Sequence, residues 1–280
     1  MTATTILRLG RVSNLPTVWT NALAGAVLAG GAGTAQLLTA MLALSLFYVG
    51  GMWLNDAFDA EIDAGERAGR PIPQGEISRR TVFQVGFTLL AAGILASLFI
   101  GPTAALVGVA LAGAVVLYDW LHKRTILSPV LMGATRFLAY ALGAAAAGSF
   151  PAAALVGALG LSAYVVGLTY AAKQEAYNRI DRAWPLGVLA APLLYSLWLA
   201  GLSPLALVLW LALAGVVVVA LRLLFRRARG DVPRGVVTLI AGISLYDAVL
   251  IAAAGEAGLA LAAAAGFLMT LALQRLAPGT

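Results

Sequence analysis

The sequence has no cysteine, one histidine and few charged residues. Without cysteine, the chain cannot form a disulfide framework, an iron–sulfur cluster or a thiolate zinc site. The single histidine, His122, leaves little for a histidine-based metal site. Charged residues make up 11% of the 280 residues and hydrophobic residues 61%, a balance far outside the usual range of a soluble domain. We therefore expect a protein that lies in lipid.

Long apolar segments make up most of the chain. They are runs of Ala, Leu, Val and Gly without the alternating polarity of barrel strands, and roughly 20 helical residues cover the ~30 Å core of a bilayer. The sequence predicts an all-α, multi-span bundle of nine or ten transmembrane helices, organised as one domain over residues 1–280. The ten predicted segments are 15–31, 35–57, 82–100, 104–121, 127–148, 152–172, 185–200, 204–225, 236–254 and 258–273.

Basic residues lie on one side of this predicted bundle. Every Lys and Arg except Arg136 falls at the N-terminus, in the last turn of an even-numbered span or after it, or at the C-terminus. The positive-inside rule places these loops in the cytoplasm, and ten spans place both termini there too. The net charge of +6 therefore indicates orientation and not a nucleic-acid partner. The first apolar stretch has no convincing cleavage site, so we interpret it as the first span of a multi-pass protein of the cell (inner) membrane.

Polar oxygens recur along one face at the end of the second predicted span. Asn55, Asp59 and Asp63 are spaced at i, i+4 and i+8, which places them on one helical face over two turns. Like charges stacked in this way repel each other, and a bound cation is the simplest compensation. Carboxylate and amide oxygens suit Mg²⁺, which prefers a few such ligands together with waters and phosphate oxygens. The spacing predicts a Mg²⁺ site beside a cavity that opens near the cytoplasmic face.

Two arginines, Arg67 and Arg70, follow these acids. They could pair with the carboxylates of a solvated helix end, or they could donate hydrogen bonds to phosphate oxygens. The position favours the second interpretation, because polar groups where an apolar helix leaves the bilayer indicate function by default.

The segment Asn55-x₃-Asp59-x₃-Asp63, followed by Arg70-Pro71-Ile72-Pro73-x-Gly75, resembles the signature of the UbiA superfamily of intramembrane prenyltransferases. The resemblance extends through the all-helical layout, and the opening Arg8-Leu-Gly-Arg11-Val-Ser-Asn14-Leu-Pro16 is most similar to the EboC-like branch. It implies that Asn55, Asp59 and Asp63 bind Mg²⁺ and the diphosphate of a polyprenyl donor. Members of the family typically have nine spans.

The resemblance also implies a second acidic motif in the loop after the sixth span. Glu175 can stand for the first acid and a fourth metal ligand, but Arg179 occupies the place of the second acid. A basic residue cannot ligate a metal, so the site is either rebuilt from Asn178 and Asp181 or Arg179 contacts the diphosphate directly. Glu175 and Arg179 could also form a plain i,i+4 ion pair.

The loop after the fourth span resembles a stretch of the family with tyrosine and paired basic residues. Tyr118, Lys123 and Arg124 could contact the donor's phosphates, although Lys and Arg at a helix end also serve as anchors at the lipid headgroups. We expect the neighbouring His122 to face headgroups and not to act as a base.

Two charges, Arg136 and Asp247, lie in the middle of predicted spans, away from the span ends. Each would cost about 2.5–3.5 kcal/mol facing lipid, so both should face the bundle interior, where they pair or line the cavity. Asn14 and Asn21 share a face of the first span and are candidate acceptor contacts, or form structural hydrogen bonds between helices.

The predicted function is Mg²⁺-dependent transfer of a polyprenyl group from its diphosphate to an acceptor in the membrane, an aromatic one by resemblance to the family. The Mg²⁺ would neutralise the leaving diphosphate. The alternative is a polyprenyl-lipid binder or carrier that retains the pocket without turnover, which Arg179 suggests. A generic transporter is disfavoured because the acids cluster at one face of the membrane.

Overall fold

The computed structural model describes residues 2–173, 184–201 and 203–276 of the 280. Its regular elements are, in chain order, α1 (Ala3–Gly10), a 3₁₀ turn (Val12–Asn14), α2 (Leu15–Leu28), α3 (Thr34–Glu66), α4 (Arg79–Ile100), α5 (Pro102–Leu121), α6 (Ser128–Ala147), α7 (Ala152–Lys173), a second 3₁₀ segment (Trp184–Leu189), α8 (Ala190–Ala200), α9 (Pro204–Arg226), α10 (Asp231–Ala253) and α11 (Ala257–Leu276). All of these elements are helical, as the sequence predicts.

Eight helices in the described ranges are long and apolar enough to cross a membrane: α3, α4, α5, α6, α7, α9, α10 and α11. The protein is therefore a multi-pass membrane protein. The first and seventh predicted spans also coincide with helices, but these are shorter, Leu15–Leu28 and Leu186–Ala200. At 1.5 Å per residue, the 14 residues of α2 extend only about 21 Å. The count of nine or ten spans thus stays a prediction.

Helix α3 is longer than its predicted span, which ended at residue 57. It has 33 residues and continues to Glu66, where Arg67 caps it. Residues 52–64 contain neither Gly nor Pro, so nothing in the backbone interrupts the helix where the hydropathy falls. The acidic segment, which hydropathy alone assigns to a loop, consequently forms the last three turns of a rigid helix.

Helix α2 lies inside the bundle and packs closely against α6. A Cβ atom on Gly25 would lie 2.3 Å from the carbonyl oxygen of Tyr140, and one on Gly143 would lie 2.3 Å from the carbonyl oxygen of Ala22. Glycine at both positions allows the two backbones to touch, a common source of packing energy in lipid. One buried core surrounds α7, α9 and α10, and a second lies between α3, α4 and α5.

Candidate functional site

The three polar residues at i, i+4 and i+8 share one face of α3, as the spacing predicts. Asn55, Asp59 and Asp63 are 7%, 6% and 1% exposed. They lie in the last turns of the helix, and neighbouring elements cover them from two directions. Burial of charged oxygens requires compensating partners, because each would otherwise lose its hydration without replacement.

A third buried carboxylate, Asp56, connects two arginines. The Nη2 atom of Arg11 donates to Asp56 Oδ1 at 3.2 Å, and Nη1 of Arg70 donates a short hydrogen bond to the same oxygen. The same Nη1 lies 3.4 Å from Oδ2 of Asp63. Arg11 follows α1, and Arg70 comes from the segment after α3, so two turns of chain converge on this helix end.

The two guanidinium groups repel each other across Asp56. Burial, together with the nearby charge of Arg11, lowers the pKa of Arg70 from its ordinary value, against the opposing effect of Asp56 and Asp63. Burial also acts to lower the pKa of Arg11, but Asp56 and other nearby groups outweigh it and the net direction is upward. Both side chains stay charged near neutral pH, since arginine is the most basic side chain in proteins and keeps its proton there. A bound anion would reduce their repulsion.

The C-terminal end of α5 covers the other side of the cluster. Nδ2 of Asn55 donates to Asp119 Oδ1 at 3.2 Å. His122 Nε2 lies 3.2 Å from Oδ2 of Asp59, and its Nδ1 lies 3.1 Å from the carbonyl oxygen of Asp119. The expectation that His122 faces headgroups is therefore wrong, because the ring turns inward from the end of α5 and is only 9% exposed.

Two buried carboxylate oxygens in this cluster, Oδ2 of Asp63 and Oδ2 of Asp119, have no hydrogen-bond partner in the described structure. Within residues 2–173, 184–201 and 203–276, no group of three or more His, Cys, Asp or Glu side chains could hold a metal by itself. The oxygens of Asn55, Asp59 and Asp63 are nevertheless hard donors of the type that Mg²⁺ prefers. The donor chemistry fits that ion, and the metal set of Asn55, Asp59, Asp63 and Glu175 stays a prediction.

A mostly apolar cavity extends inward from the cluster, between α2, α3, α5 and α6. Tyr118 and Asp119 line it at the end near the carboxylates, and Arg136 lines it on α6. The remaining lining residues are Val18, Leu44, Phe47, Tyr48, Gly51, Met52, Leu111, Val115, Met132, Thr135 and Ala139. The cavity therefore has an apolar interior and a charged end at the cluster of Asn55, Asp56, Asp59 and Asp63 with Arg11 and Arg70. This end is called the charged mouth.

The two charges predicted to face the interior do so, and Asn21 connects them. Nη1 of Arg136 donates to Asn21 Oδ1 at 2.8 Å, and Nδ2 of Asn21 donates to Asp247 Oδ2 at 2.8 Å. Tyr140 donates to the other oxygen of Asp247. Asn14 instead accepts from Gln274 and donates to Tyr48 at 3.2 Å, so it joins helices.

The remaining predicted contacts lie nearer the surface. Arg67, Lys123 and Arg124 are exposed. Nζ of Lys123 lies 4.0 Å from Glu66, and the ring of Tyr118 stacks on His122 with 5.1 Å between centroids. Of the two arginines after α3, only Arg70 pairs with the acids. The predicted residues of the second acidic motif, Glu175, Asn178, Arg179 and Asp181, lie outside the described residues.

Sequence reasoning missed four polar residues of the site: the buried Asp56, Asp119 and His122 and the half-buried Arg11. Asp56 could have been found, because Asp56, Asp59 and Asp63 are spaced at i, i+3 and i+7 and so share a face as well. No sequence signal indicated that Arg11 belongs to the site. It lies 44 positions before Asn55 in the chain and contacts it only in the folded bundle.

The fold and this cluster define a multi-pass α-helical membrane protein with acidic and basic groups gathered over an apolar cavity. The chain belongs to the UbiA prenyltransferase family, whose profile matches residues 16–236.

Relatives and solved structures agree with this membership. The chain is 31% identical, over 146 residues and 51% of each chain, to digeranylgeranylglyceryl phosphate synthase of Thermococcus kodakarensis. It spans only about a quarter to a half of the length of the curated relatives it matches. A structure from work on digeranylgeranylglyceryl phosphate synthase in membranes superimposes with a TM-score of 0.62 at 18% identity, covering 89% of this chain and 97% of that one. A UbiA homologue from Archaeoglobus fulgidus, bound to GPP and Mg²⁺, gives 0.56 at 16% identity, covering 96% and 99%.

Proposed function

We propose that this protein is a Mg²⁺-dependent prenyltransferase that moves a prenyl group from a prenyl diphosphate to an acceptor in the membrane. The observation that carries the proposal is the convergence of Asn55, Asp59 and Asp63 with Arg11 and Arg70 above an apolar cavity. The activity for which the relatives are named, and the GPP and Mg²⁺ bound to the homologue from Archaeoglobus fulgidus, support it.

The proposed reaction does not depend on the chemical class of the acceptor. An aromatic acceptor, predicted from resemblance to the family, has no support among the relatives, whose name refers to a glyceryl phosphate. The reaction class is the same for either acceptor. The bond between the prenyl carbon and the diphosphate oxygen breaks, the acceptor's nucleophile bonds to that carbon and loses its proton, and diphosphate leaves.

The residues of the cluster would hold the donor's head. Asn55, Asp59 and Asp63 would hold Mg²⁺, which when bound supplies a Lewis acid for the leaving diphosphate. Arg11 and Arg70, already placed next to each other, would donate charge-assisted hydrogen bonds to phosphate oxygens as negative charge builds there. Because their geometry is fixed by Asp56, little reorganisation is needed when the donor binds.

The cavity would receive the prenyl group and exclude water. Its lining is largely apolar, and three aromatic residues, Phe47, Tyr48 and Tyr118, face it. Aromatic faces stabilise nearby positive charge, here the charge that develops on the prenyl carbon. Exclusion of water directs that carbon to the acceptor and not to hydrolysis. By the positive-inside rule, the charged mouth would open to the cytoplasm.

On this proposal, Asp59→Asn abolishes turnover. Purified protein with Mg²⁺, labelled GPP or DMAPP and a panel of lipid-phosphate and aromatic acceptors should release diphosphate. Loss of the Asp59 charge should lower the rate by about a hundredfold or more, the range seen when one preorganised electrostatic contact is removed. The matched control is Glu61→Gln on the same helix, because the Glu61 side chain is 81% exposed and its loss should leave the rate unchanged.

Two results would count against this proposal. Full activity of Asp59→Asn would remove the metal-binding role of the cluster. Mg²⁺-dependent donor binding without diphosphate release, for every acceptor of the panel, would favour the alternative of a prenyl-lipid carrier.

A further inference from the structure

An apolar groove runs along the outer surface of the bundle between α4 and α5, and Phe58 of α3 also lines it. Its walls include Phe87 and Ala91 on α4 and Gly113 and Trp120 on α5. Phe87 and Trp120 are exposed large apolar side chains. Within the described residues, the groove shares no lining residue with the cavity beneath the carboxylate cluster. It is therefore a separate feature, and in a multi-pass membrane protein it faces lipid.

The groove has the depth of one membrane leaflet. On α5 it extends from Val109 to Trp120, eleven positions, which correspond to about 16 Å at 1.5 Å per residue. Half of the ~30 Å hydrocarbon core of a bilayer is about 15 Å. Trp120 lies in the last turn of α5, and tryptophan at a helix end is typical of the headgroup level. An acyl chain of one leaflet therefore matches the groove from the interface to the midplane.

Two arginines flank the end of the groove nearer the carboxylate cluster. Gly101 connects α4 to α5, and Arg80 lies 21 positions before it and Arg124 23 positions after it. Because the two helices form a hairpin, these arginines lie at about the same height. Arg80 also shares a helical face with Phe87 and Ala91, which line the groove seven and eleven residues further on.

The acids near this end are paired with other basic side chains: Glu61 with Arg79 at 2.6 Å and Glu66 with Lys123 at 4.0 Å. Arg80 and Arg124 are exposed and have no ion pair in the part of the chain that the structure describes. Basic residues beside a groove between membrane-spanning helices attract anionic lipid headgroups. The charge at this end of the groove therefore complements a phosphate.

We propose that the groove binds one anionic phospholipid of the leaflet on the side of the carboxylate cluster. One acyl chain lies between α4 and α5, and the phosphate accepts hydrogen bonds from Arg80 and Arg124. Of the two roles that the sequence leaves open for Arg124, this site assigns the one at the lipid headgroups. The inference goes beyond the proposed function and does not depend on it.

Two other occupants make different predictions. Ordinary solvating lipids would fill the groove without a preference for the charge of the head. A second copy of the chain would give a dimer that substitutions in the groove disrupt. The test therefore compares two lipids that have the same acyl chains, and it reports the mass of the complex.

The measurement is native mass spectrometry of the purified full chain with bound lipid. The probes are dioleoyl phosphatidylglycerol, which is anionic, and dioleoyl phosphatidylcholine, which has no net charge. One phosphatidylglycerol per chain should bind about tenfold more tightly than phosphatidylcholine, or better. Arg80→Gln/Arg124→Gln should weaken phosphatidylglycerol by about tenfold, through the loss of charge-assisted hydrogen bonds, and leave phosphatidylcholine unchanged. Gly113→Leu should weaken both lipids, because the added side chain would occupy the groove.

Matched variants on and after α9 control for the two kinds of change. Arg222→Gln/Arg229→Gln also removes two exposed arginines. Gly215→Leu also adds a side chain at a glycine whose Cβ position, like that of Gly113, has no atom within 4 Å. Neither control should change the affinity for phosphatidylglycerol. If Gly113→Leu does not fold, Ala91→Phe on the facing wall replaces it and carries the same expectation.

Several results would overturn the proposal. One is equal affinity of the original protein for the two lipids, and another is unchanged phosphatidylglycerol binding in either the arginine variant or the groove variant. Equal weakening by the α9 controls would show that surface charge anywhere on the protein attracts this lipid. A dimer that is lost in Gly113→Leu would show that a second copy covers the groove. Failure of diphosphate release would contradict the proposed enzyme activity and leave these expectations unchanged.

Discussion

At the scale of single residues, Asp56 stabilises the arrangement of the whole charged mouth. Its side chain is 7% exposed and accepts from both Arg11 and Arg70. Without it, two half-buried guanidinium groups would face each other, with Asp63 as the remaining carboxylate near Arg70. Removal of one partner from a buried ion pair leaves an uncompensated charge, and this cost exceeds the attraction that is lost.

We therefore expect Asp56→Asn to destabilise the protein by about 3 kcal/mol, the lower end of the range for a buried ion pair because both arginines keep some solvent contact. The measurement is the thermal unfolding of the purified protein. Glu61→Gln is the control on the same helix, since exposed pairs contribute about 1 kcal/mol or less. Equal melting temperatures for the two variants would contradict the structural role given to Asp56.

At this scale, the sequence could predict only the arrangement of site residues that lie on the same helix. The i, i+4, i+8 spacing alone predicts that Asn55, Asp59 and Asp63 share one face. Contacts between helices could not be predicted in this way. The hydrogen bond between His122 and Asp59 joins residues 63 positions apart and depends on how α5 packs against α3.

At the scale of elements, α2 and α6 make the closest glycine-to-backbone contacts in the described part of the chain. Gly25 and Gly143 each face a backbone carbonyl of the other helix, so their contact is reciprocal. The same two helices carry Asn21 and Arg136, whose hydrogen bond lies one turn away from this contact. Small residues in the sequence indicated close helix approach in general, but the composition could not specify which pair of helices approaches closest.

Gly25→Ala should disrupt this pair of helices. A methyl group at 2.3 Å from a carbonyl oxygen cannot be accommodated by a side-chain rotation, so the backbones must separate. Overpacking of this kind costs about 1–3 kcal/mol, and we expect the upper half of that range. The control is Gly113→Ala on α5, where no atom lies within 4 Å and alanine is the better helix former. A melting temperature of Gly25→Ala at or above that of the original protein would show that the helices are not in backbone contact.

At the scale of the whole molecule, the charged segments that the sequence assigns to one side do meet at one end of the bundle. Arg8 in α1 pairs with Glu76 after α3, and Asn55 at the end of α3 contacts Asp119 at the end of α5. Because α2 and α3 lie between Arg8 and Glu76 in the chain, this contact requires the two helices to run in opposite directions. The alternation of basic loops was sufficient to predict this grouping, because short hairpins between long helices leave few other arrangements.

The number of crossings depends on the two short helices, Leu15–Leu28 and Leu186–Ala200. Cysteine labelling can decide whether Leu186–Ala200 crosses, because the chain has no cysteine of its own. With ten spans, Gln74→Cys and Arg229→Cys should react only when a membrane-impermeant maleimide enters the cytoplasm. Glu256→Cys should react from outside. All three positions are exposed.

If Leu186–Ala200 does not cross, the orientation of every later segment reverses. Arg229→Cys would then react from outside and Glu256→Cys from inside, while Gln74→Cys would stay unchanged as the internal reference. That outcome would place the basic loop around Arg229 outside the cell, which is contrary to the positive-inside rule. We expect the first pattern, because the charge of that loop orients the hairpin of α9 and α10 towards the same side as the carboxylate cluster.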